Sequence, residues 1–222
     1  TFTLPGQESI NDQVSRIHRF DNFFAYDDGT AERQIYLENP QTDNPSFALE
    51  FESKIEDTLK AVQFHFPHVN GNAENQLFSI HVYLDELSDD PAFSMEFLSP
   101  IYANSYFDTL QGFTTYVLKD IFGEEAGIPL AAGQKFYIGF QQLSSTNFGV
   151  PIGLDINRDV SSKLFVNVWG GWNNQGGLIQ GSPMIRAIVG SEDVIPTSTN
   201  KIDQVYDLKV YPNPTSGSLN IN

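Results

Sequence analysis

A loop rich in aromatic and amide side chains is the most ligand-like feature of the sequence. In the stretch FVNVWGGWNNQGG, Trp169 and Trp172 flank two glycines and stand beside Asn173 and Asn174. Flat apolar rings can stack on the C–H faces of a sugar, and amide groups can bond its hydroxyls. The loop therefore predicts a carbohydrate-binding surface. The competing interpretation is that a tryptophan closes one end of the core while the other residues only make the turn.

A second candidate surface is the polar face of two strand-like segments. LKAVQFHF and FSIHVYLD both alternate apolar with polar residues, so each predicts a strand with one buried side. The polar side carries Gln63 and His65 in the first segment and His81 and Tyr83 in the second. If the two strands are neighbours, these side chains form one surface, and we include His81 and Tyr83 among the predicted ligand-binding residues.

Acidic side chains around a glycine turn predict a metal site. The stretch YDDGTAE places Asp27, Asp28 and Glu32 within one short loop. Several hard oxygen ligands in a flexible loop suit Ca²⁺, so we expect a structural calcium ion there. The competing interpretations are a plain Asp-Gly turn, or a carboxylate that pairs with Arg186 of the last strand of the body.

Signatures of catalysis are missing from the sequence. It contains no G-x-S-x-G elbow, H-E-x-x-H zinc motif, P-loop or dinucleotide-binding glycine pattern. His65 and His68 have an H-x-x-H spacing, but on a strand that runs into a proline turn their side chains diverge, which disfavours zinc. The carboxylates that could serve in glycoside hydrolysis form no pair selected by spacing, so we predict a non-catalytic chain. These carboxylates include Asp85, Glu86, Asp155 and Asp159.

Composition excludes several other classes of function. The chain has 12 basic and 28 acidic residues and a formal net charge of −16, which repels nucleic acids and anionic membranes. It has no cysteine, so disulfides and thiol chemistry are excluded. No run approaches the ~20 apolar residues of a membrane-spanning helix, so we expect no transmembrane segment.

Short alternating segments between turn residues predict an all-β fold. From Phe20 onward they give roughly nine or ten strands, and no long amphipathic helix competes with them. Two packed antiparallel sheets, in a jelly-roll-like β-sandwich, would bury so many one-faced strands. We place this domain at residues 20–190.

Polar segments flank the predicted sandwich. Residues 1–19 resemble a linker or the end of a preceding domain, and residues 191–206 form a Ser/Thr-rich linker. The chain starts at Thr1 without a methionine, so we expect it to be a piece of a longer protein. A last predicted segment, residues 207–222, follows the linker.

The closing stretch LKVYPNPTSGSLNIN predicts a strand, a turn and the start of a second strand. Pro212 and Pro214 fix their own φ angles, and Gly217 permits a left-handed turn before Leu219 and Ile221 resume the alternation. A hairpin this short forms no stable core alone. It must therefore belong to a larger unit or dock on a partner.

These residues resemble a known export signal. Residues 208–222 are similar to the opening of the type A C-terminal sorting domain of the type IX secretion system of Bacteroidota; family members continue through further strands, so this chain carries only its start. The resemblance implies export across the outer membrane, recognition by the translocon and its shuttle protein, and a secreted or cell-surface location. The matching residues are Tyr211, Pro212, Asn213, Pro214 and Gly217.

The body contains the stretches FAYDDGTAE, DTLKAVQFHF, GFTTYVL, GQKFYIGFQQ, GLDIN and MIRAIVG. With them it resembles, over residues 23–190, the β-sandwich that often precedes such sorting domains in surface proteins. Three functions remain open at this point. The first is a non-catalytic module that binds glycan or another extracellular partner, or acts in adhesion. The second is a structural spacer of a larger secreted enzyme, and the third and least favoured is a hydrolase.

Overall fold

The described part of the chain folds into antiparallel β-strands. It contains fourteen strands, one short 3-10 helix and no α-helix, and every strand pairing is antiparallel. None of its residues forms a helix that is long and apolar enough to cross a bilayer. The computed structural model describes residues 22–37, 45–68, 73–102, 112–143, 149–168, 170–174 and 179–190.

Three predicted segments lie outside the described residues. They are the N-terminal segment (1–19), the Ser/Thr-rich linker (191–206) and the closing segment (207–222). The residues of the predicted sorting signal are therefore not described.

The strands differ widely in length, from two to nine residues. In chain order they are β1 (Phe23–Phe24), β2 (Arg33–Ile35), β3 (Ser46–Glu52), β4 (Asp57–His65), β5 (Phe78–Leu84), β6 (Phe93–Leu98), β7 (Phe113–Val117), β8 (Ile128–Leu130), β9 (Lys135–Gln142), β10 (Ile152–Asp155), β11 (Leu164–Asn167), β12 (Asn173–Asn174), β13 (Ser182–Pro183) and β14 (Ile185–Val189).

One layer is a six-stranded sheet with the order β12-β11-β3-β9-β5-β6. Side chains alternate between its two faces because the strand period is two. Phe47, Leu49 and Phe51 of β3 are buried in the main core, and they lie opposite Phe140, Ile138 and Phe136 of β9. The intervening residues point away from the core and form the outer face of the sheet.

The opposing strands fall into two groups, with the orders β1-β14-β4-β7 and β13-β10-β2, and β8 also pairs with β4. Met184 joins the groups, because its N–H donates to Gly153 O at 2.8 Å and its carbonyl accepts from the His65 N–H at 3.2 Å. A single run of chain, β13 followed by β14, thus takes part in both.

An aromatic core fills the space between the layers. Phe64 of β4 lies 5.7–6.0 Å, between ring centroids, from each of four other core rings. This packing confirms the predicted all-β antiparallel sandwich, although the described residues contain more strands than expected. The four rings are Phe66, Phe78, Tyr116 and Phe140.

Candidate functional site

A second, smaller apolar cluster lies on the outer face of the six-stranded sheet. Ala48 and Gly139 are direct neighbours in β3 and β9, and a Cβ at Gly139 would come within 3.0 Å of the Tyr83 ring. These small residues therefore leave space for large rings above the sheet. We call this cluster the outer aromatic patch; it comprises Ala48, Tyr83, Leu87, Tyr137, Phe165 and Trp172.

Trp172 is the half-buried ring of the outer aromatic patch that comes from the predicted ligand loop. Its ring packs edge-on against Tyr83, with 5.5 Å between centroids, and its Nε1–H donates to Ser88 O at 3.2 Å. These contacts fix the orientation of the indole. Because the residue is only half-buried, part of its surface stays in water.

Two exposed amides stand next to Trp172. Asn174 lies directly opposite Phe165 in the pairing of β12 with β11, so both belong to the outer face. The Nδ2 group of Asn174 donates to Ser162 O at 2.7 Å, and that of Asn173 donates to Gly171 O at 2.9 Å. The Asn174 amide is thus held in place on the face of the aromatic rings, whereas Asn173 pairs with the core residue Val166 and belongs to the other face. Trp169, the other predicted tryptophan, lies outside the described residues.

Two almost fully buried side chains of β5, His81 and Tyr83, lie at the outer face of the six-stranded sheet. His81 is only 7% exposed, and its two ring nitrogens bond Ser94 Oγ at 2.9 Å and Gln141 Oε1 at 3.2 Å. Tyr83 is 6% exposed, and burial raises its pKa to about 12, so its hydroxyl is neutral at physiological pH. Both residues were predicted to contact ligand; Tyr83 packs against the Trp172 ring, and the His81 ring lies 6.2 Å from that of Tyr83, between centroids.

Charged groups border the patch. Glu50 accepts a hydrogen bond from the Tyr137 hydroxyl at 3.2 Å and pairs with Lys135 at 3.4 Å and Lys163 at 3.3 Å. Burial, with a further contribution from Glu50, raises the pKa of Tyr137 to about 12. Sequence analysis missed this network because its members lie far apart in the chain and carry no motif.

The predicted polar surface that joined β4 to β5 does not form. β4 belongs to the opposite layer from β5, so Gln63 and His65 are separated from His81 and Tyr83 by the core. Gln63 is buried and its Nε2 donates to Thr115 Oγ1 at 3.0 Å. Among the described residues, the buried Nδ1 of His65 has no hydrogen-bond partner.

Burial of two histidines predicts a loss of stability in mild acid. Desolvation is the largest cause that lowers the pKa values of both His65 and His81 from 6.5. The unfolded chain therefore binds more protons below pH 6.5, so the histidine contribution to stability is full above that pH and is lost as the pH falls toward the lowered folded-state values.

We expect the free energy of unfolding, measured with urea, to fall between about pH 7.5 and about pH 5.5. Carboxylates begin to titrate in this range as well, so the histidine part is the difference between wild type and variants. The fall should be smaller in His81→Gln than in the wild type. An identical fall in the two proteins would contradict the prediction.

Asp27, one of the predicted calcium ligands, forms a buried ion pair. Arg186 Nη2 lies 2.6 Å from its Oδ1 and Arg186 Nε lies 3.2 Å from its Oδ2, and the two side chains are 5% and 0% exposed. The guanidinium also lies over the ring of Phe113, 3.8 Å from its centroid. The structure thus shows the pairing with Arg186 that was the competing interpretation for this loop.

A different set of carboxylates comes together beside that ion pair. One ligand oxygen from each of Asp28, Glu32 and Asp155 lies within 4.8 Å of the others. The buried Asp155 carboxylate accepts from the N–H groups of Asp28 and Asn157, both at 2.7 Å. Glu32 accepts from the Asn157 side chain at 3.1 Å and from the Ile156 N–H at 3.1 Å. Three carboxylates in one place supply the hard oxygen ligands that Ca²⁺ takes.

Comparison with family models, curated proteins and solved structures finds no match to this chain.

Proposed function

We propose that this chain is a non-catalytic glycan-binding β-sandwich, exported by the type IX secretion system and secreted or displayed at the cell surface. The observation that carries the binding proposal is Trp172, a half-exposed indole held edge-on to Tyr83, with the exposed amide of Asn174 on the same face of the sheet. A pyranose offers an apolar face to the ring and hydroxyls to the amide.

Fixed geometry favours ligand binding at this patch. The contacts of Trp172 with Tyr83 and Ser88 order the indole before any ligand arrives, so less side-chain entropy is lost on binding. Phe165, also half-buried, extends the apolar surface toward β12. The role proposed for the patch is adhesion to surface polysaccharides.

Export is supported by the sequence resemblance of residues 208–222 alone. The partners in this proposal are the translocon and the shuttle protein, which would read the turn around Pro212 and Pro214. The resemblance bears on the location of the protein and gives no information about the ligand, which the sandwich would bind.

The binding proposal predicts that Trp172→Ala weakens binding to polysaccharide at least tenfold, which corresponds to about 1.4 kcal/mol. Removing the indole deletes the stacking surface, whereas Trp172→Phe keeps a ring and should retain part of the affinity. Affinity electrophoresis against a panel of neutral and acidic polysaccharides and host glycans identifies the ligand, and titration calorimetry gives the dissociation constants.

The matched control is Phe122→Ala, which removes an exposed ring from another part of the sandwich. It should bind as the wild type does. Unchanged binding by a folded Trp172→Ala protein would show that the binding site is not in the outer aromatic patch. Failure of the wild type to bind any member of the panel would favour the alternative, a structural spacer in a larger secreted enzyme.

We also propose a structural calcium ion held by Asp28, Glu32 and Asp155, a set in which Asp155 takes the place predicted for Asp27. The three carboxylates come from the loop after β1 and from the end of β10. An ion there would join two segments distant in sequence and reduce the repulsion between the carboxylates. It would stabilise the fold and take no part in a reaction.

Calcium should raise the melting temperature of the wild type, because a ligand that binds only the folded state adds about 2.7 kcal/mol at a free concentration of 100 times its Kd. Thermal-shift titrations with CaCl₂ and with a chelator test this expectation. Asp155→Asn should abolish the shift, and Glu96→Gln, which neutralises an exposed carboxylate elsewhere, should leave it intact. Equal shifts in the wild type and Asp155→Asn would contradict the proposed site.

A further inference from the structure

A hairpin projects from the edge of the sheet that contains β4. β7 and β8 both pair with β4 along one edge, through Ala61↔Val117 and Leu59↔Ile128. Between them, residues 118–126 leave the sheet and return, closed by a bond from Ala126 N–H to Leu118 O at 2.8 Å. We call these residues the edge hairpin.

The tip of the edge hairpin has a fixed shape. Asp120 Oδ1 accepts from the N–H groups of Phe122 at 2.8 Å and Glu124 at 3.0 Å. The Asp120 N–H donates to Glu124 O at 2.9 Å, and the Gly123 N–H donates to Asp120 O at 3.0 Å. Gly123 has a φ of 84°, which glycine adopts without strain. The turn is therefore ordered without a partner.

Two large apolar side chains occupy this ordered tip. Ile121 is 93% exposed and Phe122 is 83% exposed, the highest values among the large apolar residues that the structure describes as exposed. Because both side chains are almost fully exposed to water, their burial against a partner would release nearly the whole hydrophobic free energy that such side chains can contribute. The turn also spares a partner most of the cost of ordering the backbone.

Charge on the edge hairpin indicates what kind of surface covers the tip. Asp120, Glu124 and Glu125 surround the apolar pair, and Lys119 is the single basic residue of the segment. This acidic rim, on a chain with a net charge of −16, opposes an anionic lipid surface and a second copy of the same chain. It matches a protein surface whose basic side chains border an apolar pocket.

We propose that the edge hairpin docks into a partner protein, with Ile121 and Phe122 in an apolar pocket and the carboxylates facing lysine or arginine residues on its rim. This contact is separate from the outer aromatic patch, which belongs to the other layer. The tip supplies a compact anchor of the kind that dominates protein interfaces.

The test uses the full chain with the photo-crosslinker p-benzoylphenylalanine at position 122, applied both to intact cells of the organism that makes it and to a lysate of those cells; only the intact-cell arm rests on the proposed export. Position 55 is the matched control, because Ile55 is also exposed, at 66%, but lies on the turn between β3 and β4. Any protein captured is purified and titrated with the wild type, with Ile121→Ser/Phe122→Ser and with Ile55→Ser.

We expect a protein to be captured from position 122 and not from position 55. The double variant should bind the purified protein with a Kd at least tenfold weaker than that of the wild type, and Ile55→Ser should bind as the wild type does. Binding of the wild type should weaken in high salt. The proposal is overturned if position 122 captures nothing, if both positions capture alike, or if the double variant binds the purified protein as the wild type does. Tip-dependent binding to phosphatidylcholine vesicles, measured by co-sedimentation, would also overturn it and assign the hairpin to lipid.

Discussion

Asp27→Asn is expected to lower the free energy of unfolding by about 3–5 kcal/mol, the usual cost of removing one partner of a buried ion pair. The substitution removes the negative charge that lies 2.6 Å from the Arg186 guanidinium, and both side chains are almost inaccessible to water. Urea denaturation at neutral pH, followed by tryptophan fluorescence, measures the change.

Two controls separate the loss of the pair from the loss of any charge. Lys54→Gln removes an exposed ion pair with Glu52 and should leave the unfolding midpoint nearly unchanged, since such pairs contribute little. Asp27→Leu/Arg186→Met removes both buried charges and should be more stable than Asp27→Asn. A loss in Asp27→Asn no greater than that in Lys54→Gln would show that the pair does not hold the loop after β1 on the sheet.

Phe64→Ala is expected to lower the free energy of unfolding by about 3–5 kcal/mol, as truncation of a buried aromatic usually does. Phe64 is fully buried and contacts four rings from both layers of the sandwich. Its removal leaves a cavity that these rings cannot close without leaving their rotamers. The same urea denaturation measures the loss.

Phe122→Ala is the matched control for Phe64→Ala. It deletes the same atoms from a ring that is 83% exposed, so the free energy of unfolding should change by no more than about 0.5 kcal/mol. Equal destabilisation by the two substitutions would contradict the core described above.

The fold follows from the sequence wherever a strand is long and buried on one face. In β3, β5 and β9 the apolar residues alternate without interruption, and the structure places them in the core as predicted. β2, β8, β12 and β13 have only two or three residues each, too few to show a period. β6 is an edge strand with half-exposed apolar residues, so its alternation carries a weaker signal.

The candidate site could be predicted only in part. Sequence analysis selected Trp172 and Tyr83 separately, but their contact depends on the course of the loops between β11 and β12 and after β5. The small residues Ala48 and Gly139 make room for the rings, but the sequence alone does not show that they are neighbours, because that depends on the register of β3 and β9.

The same limit applies to the carboxylates. Asp27 and Asp28 are adjacent in the sequence, yet one pairs with Arg186 and the other approaches Glu32 and Asp155. Spacing along the chain identifies a loop with oxygen ligands. It does not tell which oxygens a partner from a distant strand already occupies.

The most direct test of glycan binding is to map the ligand on the sandwich by NMR, using the ¹⁵N-labelled chain and an oligosaccharide of the polysaccharide that binds best. The proposal predicts chemical-shift changes in the indole N–H of Trp172 and the amides of Phe165 and Asn174, with none around Gln63 and Arg186 on the opposite layer. Changes confined to that opposite layer, or no changes with any saccharide of the panel, would contradict the proposal that the outer aromatic patch binds glycan.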